Sequence, residues 1–264
     1  MALLAVKILL APSFVVGASL AARRFGARVG GLIAGLPVVA GPILLVYALA
    51  HGRAFAAGAA AGTLLGLVSL TAFVVVYARL AAHVFWGASL LAGWLAFAVA
   101  TVAFTSVSIP AGGALALAGA GLLVGFASLP RPVGAVASRS LPPAWDLPVR
   151  AVCALALVLA LTAVAGLLGP RLSGLLAPFP IIATVLATFT HAQRGTDELL
   201  RLLRGLISGF GAFALFCFTL AISLRRLDTA AAFALATVLA LLTQGAMLAL
   251  LGAERYVGTP SRAS

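Results

Sequence analysis

The sequence predicts an all-α fold, a polytopic transmembrane helical bundle of about nine spans arranged as two internal repeats of opposite orientation. Three observations predict it. Of the 264 residues, 64% are hydrophobic and only 8% are charged, whereas soluble domains carry about 25% charged residues. Apolar runs long enough to cross a bilayer recur along the whole chain, giving a mean hydropathy of +1.22. The sequence also matches itself at a fixed offset.

Crossing about 30 Å of hydrocarbon takes about 20 helical residues. Nine runs approach that length: 2–22, 29–50, 54–78, 84–107, 111–129, 149–168, 172–190, 205–224 and 229–252. Pro110 separates the fourth from the fifth. The first run reads as a retained span rather than a signal peptide: its apolar stretch is long, and the arginines Arg23 and Arg24 follow it rather than precede it. Between the seventh and eighth runs, residues 194–204 (RGTDELLRLLR) read as a short interfacial amphipathic helix capped by Thr196 or Asp197.

The formal net charge of +12 raises nucleic acid as a partner. The basic residues stand singly or in pairs at the ends of apolar runs, however, and form no basic stripe, so the lipid bilayer is the expected partner and nucleic acid is not. Counted on alternate sides, Arg23, Arg24, Arg28, Arg79, Arg131, Arg139, Arg150, Arg194, Arg201, Arg204, Arg255 and Arg262 face Lys7, Arg53, Arg171, Arg225 and Arg226. The positive-inside rule puts the first set in the cytoplasm, with the N-terminus outside and the C-terminus inside. Cys153 and Cys217 both fall in apolar runs and read as packing residues without a disulfide or metal role.

Displaced by 143 residues, 26–73 aligns with 169–216 without a gap, and eleven of 48 positions are identical. Five of the identities are glycines, and both copies read G-x-R-x-x-G-L-x-A-x-x-P, as GARVGGLIAGLP and GPRLSGLLAPFP. The chain divides into a first repeat of about five helices over 1–129, a cytoplasmic linker at 130–148 and a second repeat of about four helices over 149–264. With nine spans, five crossings separate equivalent helices, and an odd number inverts the second copy. A re-entrant span would make the repeat parallel. Inverted repeats with broken helices at the midplane are a transporter architecture.

The candidate substrate-binding residues cluster around that motif. Pro37 and Pro42 in run two, and Pro178 and Pro180 in run seven, interrupt helical hydrogen bonding at equivalent places. Half-helix N-termini there would favour an anionic group; the plainer reading is a packing kink. Gly41 follows the first break. Arg28 and Arg171 precede the two breaks, either attracting an acidic solute or anchoring to phosphate headgroups. Beyond Pro180 come Thr184, Thr188, Thr190, His191 and Gln193, which either line a pathway or bond to their own helix. Run two answers with Tyr47 and His51. Gln244 is the most polar residue of the last run, and interhelical packing is the leading reading for it. Gly58-x3-Gly62-x3-Gly66, Gly205-x3-Gly209 and Gly121-x3-Gly125 read as close helix contacts. No carboxylate lies within a run, and His51, His83 and His191 are dispersed, so no metal site, cofactor or enzymatic centre is expected.

Residues 173–209 resemble the GlpM-like family of small bacterial inner-membrane proteins. The likeness rests on Gly174, Leu175, Phe179, Pro180, His191, Gly195 and Arg201. Those proteins look like a single half of this chain, which would then be a duplicated version. In the first half Leu36 replaces the Phe, and no amphipathic segment follows Gly52. The resemblance implies an inner-membrane protein linked to envelope or exopolysaccharide physiology and supplies no catalytic residues. Two functions are carried forward: a transporter or permease-like protein for a small anionic solute with its site between the repeats, and a non-transporting accessory or scaffold, alone or as a homo- or hetero-oligomer.

Overall fold

A backbone in hydrocarbon has no water to bond, so apolar runs satisfy their amides internally as helices. The computed structural model describes residues 2–104, 109–134, 143–160 and 179–257, and all secondary structure among them is helical. In chain order the helices are α1 (Ala2–Phe25), α2 (Ala27–Ala34), α3 (Ala40–His51), α4 (Arg53–Leu80), α5 (Trp86–Phe104), α6 (Ala111–Ser128), α7 (146–160), α8 (Ile181–Ser223) and α9 (Thr229–Val257). Arg53–Leu80, Trp86–Phe104, Ala111–Ser128, Ile181–Ser223 and Thr229–Leu250 are each long and apolar enough to cross a membrane. The chain is therefore an all-α integral membrane protein.

Glycine sets the corners. Gly26, Gly52 and Gly195 hold φ of 97°, 87° and 79°, where a Cβ would clash with the backbone. Run 29–50 is split: α2 stops at Ala34, Pro37 lies in the gap, and α3 begins at Ala40. Pro42 is tolerated within the first turn of α3, where its missing N–H has no helical partner to lose. Gly195 divides α8 into α8a (181–194) and α8b (196–223). This corrects the amphipathic helix expected at 194–204. Those residues are instead the opening turns of a continuous helix, because Leu199, Leu200, Leu202 and Leu203 are buried rather than laid on an interface. Neither expected cap forms. Thr196 donates to the Ala81 carbonyl at 3.2 Å, while the Asp197 carboxylate accepts from the amides of Val133 and Gly134 at 3.0 Å.

Contacts fix the directions. The Arg53 guanidinium bonds the Leu227 carbonyl at 2.8 Å, and Thr196 reaches Ala81, so α4 and α8b run antiparallel. Gly93 stands beside Phe73, Trp94 bonds Thr184, and Tyr77 faces His191. Helix α8a therefore climbs alongside α4 towards Ala81 before Gly195 turns the chain back. Gly52 makes a like reversal, with Tyr47 and Phe55 rings 5.5 Å apart across it. The offset of 143 residues that carries Gly52 to Gly195 also carries the ends of α4 to those of α8b, and Trp86 to Thr229.

Helix α2 lies parallel to α8b, its backbone pressed directly on that helix. A Cβ on Gly31 would overlap the Leu202 carbonyl, and one on Gly205 the Arg28 carbonyl, while Gly35 meets Gly209. Backbone-to-backbone approach of this kind needs small residues, which is what the Gly205-x3-Gly209 spacing provides. Helix α8 has 72% and α4 56% of its most apolar window buried, against 17–22% for α5, α6 and α9. The first pair forms the centre of the bundle. The outer helices present Leu91, Leu95, Leu123, Val124, Leu241 and Leu242 outwards, a surface suited to lipid.

Candidate functional site

Thr184, Thr188 and His191 recur at four and three residues along α8a, which places them on one helical face. That face meets α4 and α5. The Trp94 indole donates to the Thr184 hydroxyl at 3.0 Å. The Tyr77 phenol stands 3.5 Å from His191 Nδ1, its ring 5.9 Å from the imidazole. The Thr188 hydroxyl is turned towards the Tyr77 phenol. Phe179, at the entry to α8a, packs its ring against Trp94 and Phe97. These groups make a strip of hydroxyl, phenol and imidazole between central helices, walled by aromatic rings. The plainer reading of the threonines does not hold at these two positions. Thr184 serves Trp94, and Thr188 is turned towards Tyr77, whereas Thr63 and Thr71 do bond their own helix.

At the arginine-rich end of α8a, on the side turned away from the strip, Gln193 and Phe189 meet an ionic network. Asp146, 0% exposed, accepts from Arg23 at 2.6 Å, from Arg150 Nε at 2.9 Å and from Gln193 Nε2 at 2.8 Å. The Arg150 guanidinium also stacks on Phe189 at 4.9 Å, and Arg194 lies nearby. Burial disfavours the Asp146 carboxylate, but the bonds from Arg23, Gln193 and Arg150 outweigh it and hold the group below its ordinary range. Three arginines around one carboxylate leave this end positive.

The other candidate residues are placed as follows. Pro37 lies in the α2–α3 break and Pro180 at the start of α8a. Gly41 faces the Phe216 ring, which a Cβ would meet at 3.3 Å. Tyr47 stacks with His51 and Phe55 at the Gly52 corner, at the opposite end from the ionic network. Arg28 begins α2, near Arg204 and Arg131 rather than beside the strip. Gln244 Nε2 donates to the Leu32 carbonyl, so it ties α9 to the end of α2 as packing predicted, while its buried Oε1 has no partner. Arg171 and Pro178 lie outside the described residues. The structure thus brings Thr184, Thr188, His191 and Pro180 together and leaves Arg28, Tyr47 and Gln244 elsewhere. Tyr77, Trp94 and Asp146 were not singled out from the sequence. Polar aromatics inside apolar runs were the available signal for the first two, and the Asp146–Arg150 spacing of four residues for the third.

No group of three His, Cys, Asp or Glu side chains suited to a metal occurs among the described residues. Compared with known proteins, the chain matches no family model, no curated protein and no solved structure.

Proposed function

We propose that this chain is a permease-like protein of the bacterial inner membrane, moving a small anionic solute along the strip on α8a between two inverted repeats. The observation that carries the reading is the paired interruption of the central helices. Gly52 and Gly195 turn the chain at equivalent positions, each following a half-helix that starts beside a proline. Since α4 and α8b are antiparallel, equivalent helices of the two halves point opposite ways. In this reading α2 and α3 together make one broken crossing and α8a completes another, giving nine crossings with the N-terminus outside. The end holding Arg23, Arg79, Arg150, Arg194 and Arg204 faces the cytoplasm. Broken helices expose amides and carbonyls at mid-membrane, where a polar solute can exchange its hydration for fixed dipoles. The positive charge around Asp146 supports an anion over a cation. Kinship with the GlpM-like family remains part of this proposal, resting on the 173–209 motif.

Reconstituted flux of a radiolabelled anion panel tests the reading. Thr188→Val, Pro37→Ala and Pro180→Ala are expected to reduce flux well below that of Gly121→Ala, whose Cβ would make only ordinary contact with Val68. Equal tolerance of all four would remove the site. A docking role is favoured by one observation: Gly58 and Gly62 are exposed on α4, with open space where a Cβ would stand. Reproducible co-purification of a partner that bulky substitutions at Gly58 and Gly62 abolish, with no flux, would establish the accessory function instead.

A further inference from the structure

Helix α8b keeps one line of residues only half covered. Arg204, Ser208, Gly211, Leu215 and Phe218 recur at four and three residues and are all half-buried, whereas Leu203 and Ile207 beside them are buried. A Cβ on Gly211 would meet nothing within 4 Å. Helix α6 flanks the line on one side, where a Cβ on Gly125 would stand 3.7 Å from Ile207 Cδ1. Helix α9 flanks it on the other, with the Phe216 and Phe233 rings 6.3 Å apart. At its arginine-rich end the line meets guanidiniums from three elements, since Arg28 of α2 and Arg131 beyond α6 lie near Arg204. Arg204 itself donates to the Leu129 carbonyl at 3.2 Å and lies over the Phe126 ring at 4.4 Å. We propose that this groove binds an anionic glycerophospholipid, its phosphate between Arg28, Arg131 and Arg204 and an acyl chain along Gly211 and Leu215.

Charge, depth and shape argue for that occupant. Three like charges held close repel one another and call for a counter-anion. The carboxylates in the first turn of α8b are committed elsewhere, Asp197 to the amides of Val133 and Gly134 and Glu198 to Arg201 at 3.0 Å. Depth follows from α6. Its 18 residues rise about 27 Å, close to the hydrocarbon thickness, so Leu129 and the Arg204 bonded to it stand at headgroup level. Basic clefts between transmembrane helices at that level suit lipid phosphates. From Arg204 to Leu215 the helix rises about 16 Å, the depth of one leaflet, and the line turns from charged to apolar over that distance. A choline lipid fits less well, because it would bring a fourth cation to the three. The site lies on α8b, apart from the strip on α8a, so it stands whether or not the chain carries a solute.

Native mass spectrometry of the full chain in detergent tests the site, with phosphatidylglycerol, phosphatidylcholine and inorganic phosphate titrated separately and unfolding temperature followed in parallel. The parent is expected to retain one phosphatidylglycerol in preference to phosphatidylcholine. Arg131→Gln and Arg204→Gln should each weaken that binding about fivefold, the loss of one guanidinium near an anionic headgroup. Arg226→Gln, at the opposite end of α8b, should leave it unchanged. Gly211→Leu, which fills the line without touching a charge, should also weaken it and so separates a groove from diffuse surface charge. Arg131 is exposed, so its variant decides should Arg204→Gln fail to fold. Equal affinity for the two lipids, or unchanged binding in folded Arg131→Gln or Gly211→Leu, overturns the site. Inorganic phosphate that displaces the lipid at equal concentration would give the arginines to a free anion, and a dimer that excludes lipid would give the face to a second copy. Either result overturns the lipid assignment.

Discussion

At Asp146 the balance of burial against pairing has a measurable consequence. The carboxyl is held below its ordinary range in the folded chain, so it contributes stability that is fully present above its unfolded value near 4 and is lost as pH falls through the lower folded value. Thermal unfolding in detergent is expected to show this acid loss in the parent and not in Asp146→Asn. Asp146→Ala leaves Arg23 and Arg150 without a counter-charge. Its destabilisation is expected to be about 2–3 kcal/mol, less than for a wholly buried pair because Arg23 is partly exposed. Glycine contacts make a second residue-scale test. Gly31→Ala drives a methyl into the Leu202 carbonyl, whereas Gly211→Ala meets nothing within 4 Å. The first should lower stability by about 1–3 kcal/mol and the second should leave the unfolding temperature unchanged.

Corners and breaks govern the elements. A Cβ on Gly52 or Gly195 would meet no atom of another segment within 4 Å, so any cost of alanine there comes from the positive-φ backbone alone, about 1–3 kcal/mol. Gly52→Ala and Gly195→Ala should therefore destabilise to a similar degree in chemical denaturation, and Gly195→Asn should lose as much, because ψ of −178° lies outside the left-handed helical region that asparagine tolerates. Full tolerance of either substitution would show that something other than backbone angle fixes the corner. The sequence marked these glycines only as identities of the repeat and not as corners, whereas it did carry the proline break at Pro37, because a missing amide acts locally and leaves a local mark. It misplaced the boundary at 194–204, since RGTDELLRLLR has the polar face of a surface helix. Only packing shows that Leu199 and Leu203 point into the core while Asp197 and Glu198 bond Val133, Gly134 and Arg201.

For the whole molecule, the spread of burial separates a central pair, α4 and α8, from lipid-facing α5, α6 and α9. Antiparallel α4 and α8b predict a simple topology result. Single cysteines at Arg53 and Arg79 should label from opposite faces of the membrane, and cysteines in the turns carrying Arg28 and Arg171 should likewise differ. Labelling of both arginine turns from one face would make the repeat parallel and remove the antiparallel frame of the transport proposal.

The sequence by itself determined the class of the fold, its residence in a membrane, and the proline break between α2 and α3. These follow from hydropathy and proline, which act on each segment without reference to the rest. Tertiary structure alone decided which polar groups meet. Thr184 and Trp94 are 90 residues apart, and Arg23 and Asp146 are 123 apart. Hydrogen bonds are short-ranged and directional, so such pairs exist only after the helices have packed, and neither partner's neighbours in sequence announce the other.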